Sequence, residues 1–267
     1  MAETMNLNAI QQIAARKILE LTGKDMSNPR DYNKVKWHVI NRNNRITAEW
    51  GKQHELFKNG EYINNSLFSG GQRIDFSFKD WKPEMQATNI DKAKYVGNKC
   101  YKLARMMINH PLKAVLSGDP GVGKTSLAMA MLNFMAAEGF SVMVVSTTEL
   151  SHLLDNRYEA NDVKNKLWLI EKMMKSVDVL LLDDLGTEGM NGQEVRTVRK
   201  DMSELLFRVA NARLDLKRNE PVHSVITTTN CDSEKLYRLY GEKTISRLTS
   251  RNPEQIVDFS GLKNVRR

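Results

Sequence analysis

The sequence predicts an α/β fold in which helices cover both faces of a parallel sheet. Three observations carry that expectation. Four short β-rich runs recur between residues 113 and 230, helical patterns separate them, and a glycine-rich loop joins the first run to the helical pattern after it.

The 267 residues allow a core domain with a smaller companion. Near the start, Ile10, Ile13, Ala14, Ile18 and Leu21 follow helical spacing, and Gly23 with Pro29 closes that segment. Residues 32–57 carry Val35, Trp37, Val39, Ile40, Ile46, Trp50 and Phe57 in a pattern more helical than strand-like, broken by the Asn-rich NRNNR. Paired Gly70 and Gly71, within NNSLFSGGQR, mark the expected hinge. The expected division is a small helical domain over residues 1–70 and a larger domain over residues 76–267. In the larger one, KAVLSG (113–118), FSVMVVS (140–146), VDVLLLDD (177–184) and HSVITTTN (223–230) read as strands, and residues 126–138 and 195–217 read as helices.

Composition bounds the function classes. Hydrophobic residues at 41% and charged residues at 27% fit a soluble globular chain. Lys and Arg outnumber Asp and Glu by 40 to 32, a net charge of +8 that suits a polyanionic partner and equally a merely basic protein. Only Cys100 and Cys231 are present, which leaves no zinc site built on paired cysteines and no disulfide framework. No apolar leader accompanies Glu3, and no apolar run approaches the roughly 18 residues of a membrane span. A cytoplasmic protein is expected, with no membrane contact.

GDPGVGKT, residues 118–125, fits G-x-x-x-x-G-K-S/T between a strand and a helix. Gly118, Gly121 and Gly123 let the backbone turn tightly, so that the amides of the loop, with Asp119, Pro120 and Val122 between them, can face phosphate oxygens. The helix that opens at Lys124 and continues through Ser126 adds its positive end. Lys124 is expected to reach the β- and γ-phosphates of a nucleoside triphosphate, and Thr125 to ligate Mg²⁺.

Such a loop requires an acidic strand end nearby. VLLLDD supplies four aliphatic residues and then Asp183 and Asp184, where parallel α/β sheets bind ligands. Asp183 is the expected partner of Mg²⁺, and Asp184 the residue that orients or deprotonates the attacking water, with Glu188 as an alternative base.

Taken together, GDPGVGKTSLA, LLLDDLGTE, ARLDLKRNEPVHSVITTTN and LYRLYGEKTISRL closely resemble the helicase-loader and IstB branch of AAA+ ATPases, the DnaC/DnaI type. The lead-in FSFKDWKPEMQATNIDKAKYVGNKCYKLARMM shares that likeness, which covers roughly residues 76–267. The resemblance implies a P-loop AAA+ core without a C-terminal helical lid, using ATP and Mg²⁺. It implies a sensor role for Asn230, at the end of the fourth strand, and an arginine-finger role for Arg247, with Arg251 as the neighbouring candidate and Arg266 as a loose candidate for a second sensor. An arginine finger requires subunits that meet head to tail. It also implies a DNA-contacting segment after the second strand, residues 147–166, where Arg157 offers a phosphate contact and Tyr158 a stacking ring. The same letters read as an ordinary amphipathic helix with Leu150, Leu153 and Leu154 turned inward.

The first 70 residues depart from the family pattern. They are the expected site for a partner, and the divergence fits a phage-encoded loader. The leading functional expectation is a loader that binds a hexameric replicative DNA helicase and delivers it onto single-stranded DNA, with DNA-stimulated ATP hydrolysis. Two alternatives stand beside it: an IstB-like transposition helper, and a nucleotide-dependent DNA-binding switch with little hydrolysis.

Overall fold

The computed structural model describes residues 20, 59–86, 89–158, 160–191, 194–195 and 198–265. The helical readings of residues 10–57 and the Arg266 assignment lie outside the described residues. The chain divides into two compact units, residues 1–57 and 58–267.

Within the larger unit, helix α1, Ile90–Asn109, precedes the sheet, and its Ala93, Val96, Cys100, Leu103, Ala104 and Met107 form one buried stripe. There follow β1 (Lys113–Ser117), α2 (Lys124–Ala137), β2 (Val142–Ser146), α3 (Thr147–Asp155), α4 (Asn161–Ser176), β3 (Val179–Asp183) and α5 (Lys200–Ala212). The chain then forms β4 (Ser224–Thr229), α6 (Ser233–Tyr240), α7 (Glu242–Leu248) and β5 (Ile256–Asp258). The five strands make one sheet in the order β2-β3-β4-β1-β5, and every neighbouring pair is parallel.

Strand alternation divides the core. Val179 and Leu181 of β3 join the cluster under α1 and α2, while Leu180 and Leu182 join the opposite cluster under α4 and α5. Because both faces are covered, β2, β3 and β4 are buried along their whole length, and β2 and β3 each open with four consecutive apolar residues. Helix α2 is enclosed on nearly all sides, which explains why Leu127 through Leu132 are buried without a polar face.

Arg213, just past α5, ties the layers together. Its guanidinium is 2% exposed and donates to the carbonyls of Met174 (2.7 Å), Val177 (2.9 Å) and Ser224 (2.6 Å). Burial pulls its pKa down to about 9, opposed by the nearby Asp178 charge, so it is still a cation at neutral pH.

Three sequence expectations change here. The fifth strand was not foreseen, because Ile256–Asp258 is too short to show a period. The helix expected over residues 195–217 is shorter, since Glu194–Val195 and Leu214–Asp215 each belong to a small antiparallel pair. Residues 58–70 belong to the larger unit: Leu67 bridges Val145 at the sheet edge, and the Gly70 amide donates to Glu149 Oε1 at 3.2 Å. Gly70 and Gly71 do have the positive φ of a turn, 64° and 72°.

Candidate functional site

One cavity opens at the carboxyl ends of the strands. Its walls include Gly121, Gly123, Lys124, Thr125, Asp183, Asp184 and Asn230. The sequence-predicted phosphate loop, acidic strand end and polar strand end therefore meet, although about a hundred residues separate the first from the last. Pro120 and Ser126 also line it, whereas Val122 is buried beneath the loop.

The loop needs glycine for two reasons at once. Gly121 and Gly123 have φ of 80° and 95°, where a side chain is strained. A Cβ on Gly121 would also lie 2.1 Å from Asn264 Oδ1, and one on Gly123 would lie 2.7 Å from the Trp81 ring. Trp81 comes from the lead-in segment. Its indole nitrogen donates to the Ala93 carbonyl at 3.0 Å, which places the ring between α1 and the loop.

Lys124 opens α2, and its side chain is only 5% exposed. Its ammonium donates to the carbonyls of Gly118 (2.8 Å) and Asp119 (2.7 Å) and to Asn230 Oδ1 (2.6 Å). These contacts curl the lysine over the loop and aim it at the end of β4.

Asp183 is buried and accepts two hydroxyl hydrogen bonds at the same oxygen, from Thr125 at 2.9 Å and Thr228 at 2.6 Å. Burial raises its pKa, with the neighbouring Asp184 adding to the rise, while the hydrogen bonds and Lys124 oppose it. A cation beside Thr125 would offset that burial. Hydroxyl and carboxylate oxygens suit a hard ion such as Mg²⁺, which would take its other ligands from phosphate and water. The residues fit a Mg²⁺-nucleotide.

Asp184 sits in the left-handed region at φ 56°, uncommon for a residue with a side chain. Three contacts hold that turn. Its amide donates to Thr228 Oγ1 at 2.8 Å, its carbonyl accepts from Thr147 Oγ1 at 3.0 Å, and the Leu185 amide donates to the Thr228 carbonyl at 2.9 Å. The turn brings the Asp184 side chain to the cavity wall while Asp183 stays in the strand. The two adjacent carboxylates thus occupy different environments.

Glu188 is placed differently. It accepts from Thr147 Oγ1 at 2.7 Å and from the Tyr240 hydroxyl, which itself receives the Gly186 amide at 3.0 Å. Burial raises the Glu188 pKa against those bonds. Glu188 is absent from the cavity walls, whereas Asp184 is among them.

Arg157, Arg247 and Arg251 do not line this cavity. Arg247 donates to the Lys243 carbonyl at 2.8 Å and lies over the Phe207 ring at 5.6 Å. Arg251 is exposed and bonds Glu242 Oε1 at 2.8 Å and the Tyr237 hydroxyl at 3.2 Å. Arg157 is half-buried, pairs with Asp201 and donates to the Leu154 carbonyl at 3.1 Å. That guanidinium is committed to holding α3 against α5. The Tyr158 side chain lies outside the described residues.

Other residues of the site carry no local sequence signal. Thr228, fully buried behind the cavity wall, is one of three consecutive threonines, and only strand direction selects it as the partner of Asp183. Ser69, Ile74, Thr187 and Val265 line the cavity itself. The C-terminal segment reaches it because Gln86 clamps Lys263 by two 2.7 Å bonds and the Val265 amide donates to the Gly121 carbonyl at 3.1 Å. No local signal announces that return.

Comparison with known proteins agrees with this geometry. The chain is 24% identical over 143 residues to the replicative helicase loader DnaC of Escherichia coli (strain K12), covering 54% of this chain and 52% of that protein. It is 26% identical over 134 residues to DnaC of Buchnera aphidicola subsp. Baizongia pistaciae, covering 50% and 49%. The chain therefore spans about half the length of these relatives. Among solved structures, DnaI superposes with a TM-score of 0.48 at 21% identity, over 72% of this chain and 90% of that one. Residues 89–248, well over half of the chain, match the family described as IstB-like ATP binding protein, and the chain belongs to that family of AAA+ P-loop proteins.

Proposed function

We propose that this protein is an ATP-dependent helicase loader that binds a replicative DNA helicase and delivers it onto single-stranded DNA. The observation that carries the reading is the direct bond from Lys124 to Asn230, which links the phosphate loop to the end of β4 in a chain similar to proteins named as helicase loaders. A γ-phosphate that draws Lys124 away breaks that bond, so triphosphate binding changes the connection between two elements of the core.

In this reading Lys124 and the loop amides hold the phosphates, with Thr125 and Asp183 on Mg²⁺. ATP, when bound, supplies the phosphoryl group that is transferred to water. Asp184 orients that water, and Asn230 senses its position. Arg247 acts on the nucleotide of a neighbouring subunit, which requires head-to-tail association. The N-terminal residues dock a hexameric helicase, and the protein works in the cytoplasm. No helix among the described residues is long and apolar enough to cross a membrane.

The family description favours one other reading, a transposition helper that uses the same ATP site with a transposase as partner. Capture from bacterial lysate with the tagged full chain and ATP, read by mass spectrometry, separates the two. A replicative helicase retained with ATP and lost with Lys124→Ala is the expected result. Recovery of a transposase transfers the function to the second reading, and recovery of neither overturns both.

A further inference from the structure

The outer face of α1 has no role in the ATP site, and its chemistry is distinctive. The helix carries five basic residues and one acidic one, Asp91. Val96, Cys100, Leu103 and Met107 face inward. Lys94, Tyr95, Tyr101, Lys102 and Arg105 are exposed. Tyr95 is 56% exposed; Tyr101 is 40% exposed and packs edge-on against Phe78 (5.2 Å) and Phe134 (5.6 Å), which fixes the orientation of its ring. Lys99 lies 5.7 Å from the Tyr95 ring centroid and donates to the Pro253 carbonyl at 2.9 Å. Shallow hollows flank the helix, one lined by Tyr95, Lys99 and Lys102, another by Tyr101, Lys102 and Arg105.

Internal pairing leaves most of this charge free. Lys92 meets Asp258 at 3.5 Å, and Lys102 is 3.9 Å from Glu254 with both side chains largely in water. An exposed pair of that kind contributes little to folding. Lys94 and Arg105 stand eleven residues apart, about 16 Å along the helix, and the tyrosines alternate with the cations between them.

We infer that this face of α1 is a binding surface for single-stranded nucleic acid, in which Lys94, Lys99, Lys102 and Arg105 track phosphates and Tyr95 and Tyr101 offer their rings to unpaired bases. Charge complementarity selects a polyanion, and the exposed rings select one whose bases are free to stack. A duplex keeps its bases stacked inside and gains nothing from the tyrosines. The inference shares its ligand with the loader reading but uses a surface separate from the nucleotide cavity.

The test uses the full chain with Mg²⁺-ATP and fluorescence anisotropy on a labelled oligothymidine, with a duplex of equal length as comparison. Lys94→Glu with Arg105→Glu should weaken single-strand binding by about tenfold or more and flatten its salt dependence. Tyr95→Ala should weaken it by about tenfold with little change in salt slope, because stacking is lost and charge is kept. Tyr95 makes no hydrogen bond and is mostly in water, so this variant should fold, and unchanged ATP affinity verifies that it does. Single-strand affinity and salt slope equal to wild type in both variants overturn the inference, as does a shift of oligomeric state alone. Equal loss on duplex and single strand, with Tyr95→Ala silent, also overturns it. A protein that still captures helicase while its α1 variants bind DNA normally refutes this surface and leaves the loader reading intact.

Discussion

Lys124 and Asn230 are joined by a 2.6 Å hydrogen bond between the first residue of α2 and the residue just beyond β4. The lysine lines the cavity, almost fully buried, and its ammonium is satisfied by the protein's own oxygens. Lys124→Ala should abolish nucleotide binding, since the only cation in the loop is lost. Asn230→Ala should leave nucleotide affinity within about threefold of wild type and lower turnover by at least about tenfold. Titration with a labelled nucleotide and a phosphate-release assay measure the two quantities. Equal losses of binding in both variants would refute a sensing role for Asn230.

Arg247 lies outside the cavity, packed on Phe207, so the proposed arginine-finger role requires a second copy of the chain. Arg247→Ala should bind ATP normally and turn it over slowly. Mixing it with Lys124→Ala should restore part of the activity, because the intact sites of one variant then meet the intact arginines of the other. Mixtures no more active than the sum of their parts would argue against head-to-tail action.

Tyr240 supports the turn after Asp184 by accepting the Gly186 amide and donating to the half-buried Glu188. Tyr240→Phe should lower the unfolding free energy by about 1–3 kcal/mol, the cost of leaving buried polar groups unpaired. Urea denaturation with an unchanged slope is the readout. Glu188→Gln should keep turnover per folded molecule, whereas Asp184→Asn should lose it; the reverse result would make Glu188 the base.

Glu171 of α4 receives Arg208 of α5 through two bonds, 2.8 and 2.7 Å, and Lys175 at 2.6 Å. The Arg208 hydrogen bonds, helped by Lys175 against the effect of burial, depress its pKa to about 2. A depressed folded-state value means that the unfolded chain takes up the proton first. The pair's contribution is complete above the ordinary glutamate range and is lost as pH falls toward about 2. Arg208→Ala should therefore shift acid unfolding to higher pH and leave stability nearly unchanged in its pH dependence above neutrality. Circular dichroism across an acid titration measures it, and coincident curves would show that the pair is not coupled to folding.

The division between sequence and tertiary structure follows from how far apart the cooperating residues lie. Local chemistry announces the elements. A glycine-rich turn before Lys124 dictates a phosphate loop, and VLLLDD is a strand because four aliphatics need burial on both faces. The sheet and the loop, strand β3 and the Asn230 corner were legible on that basis, as was the family. Contacts between distant segments carry no periodicity. Only the folded chain selects Thr228 as the partner of Asp183, commits Arg157 to Asp201, and brings Val265 back onto Gly121. It also assigns residues 58–70 to the larger unit, where Leu67 bridges Val145 at the sheet edge just before the paired glycines Gly70 and Gly71. Hydrogen bonds and ion pairs depend on the direction of each side chain and on what stands opposite, and the position opposite is set by the register of the whole sheet.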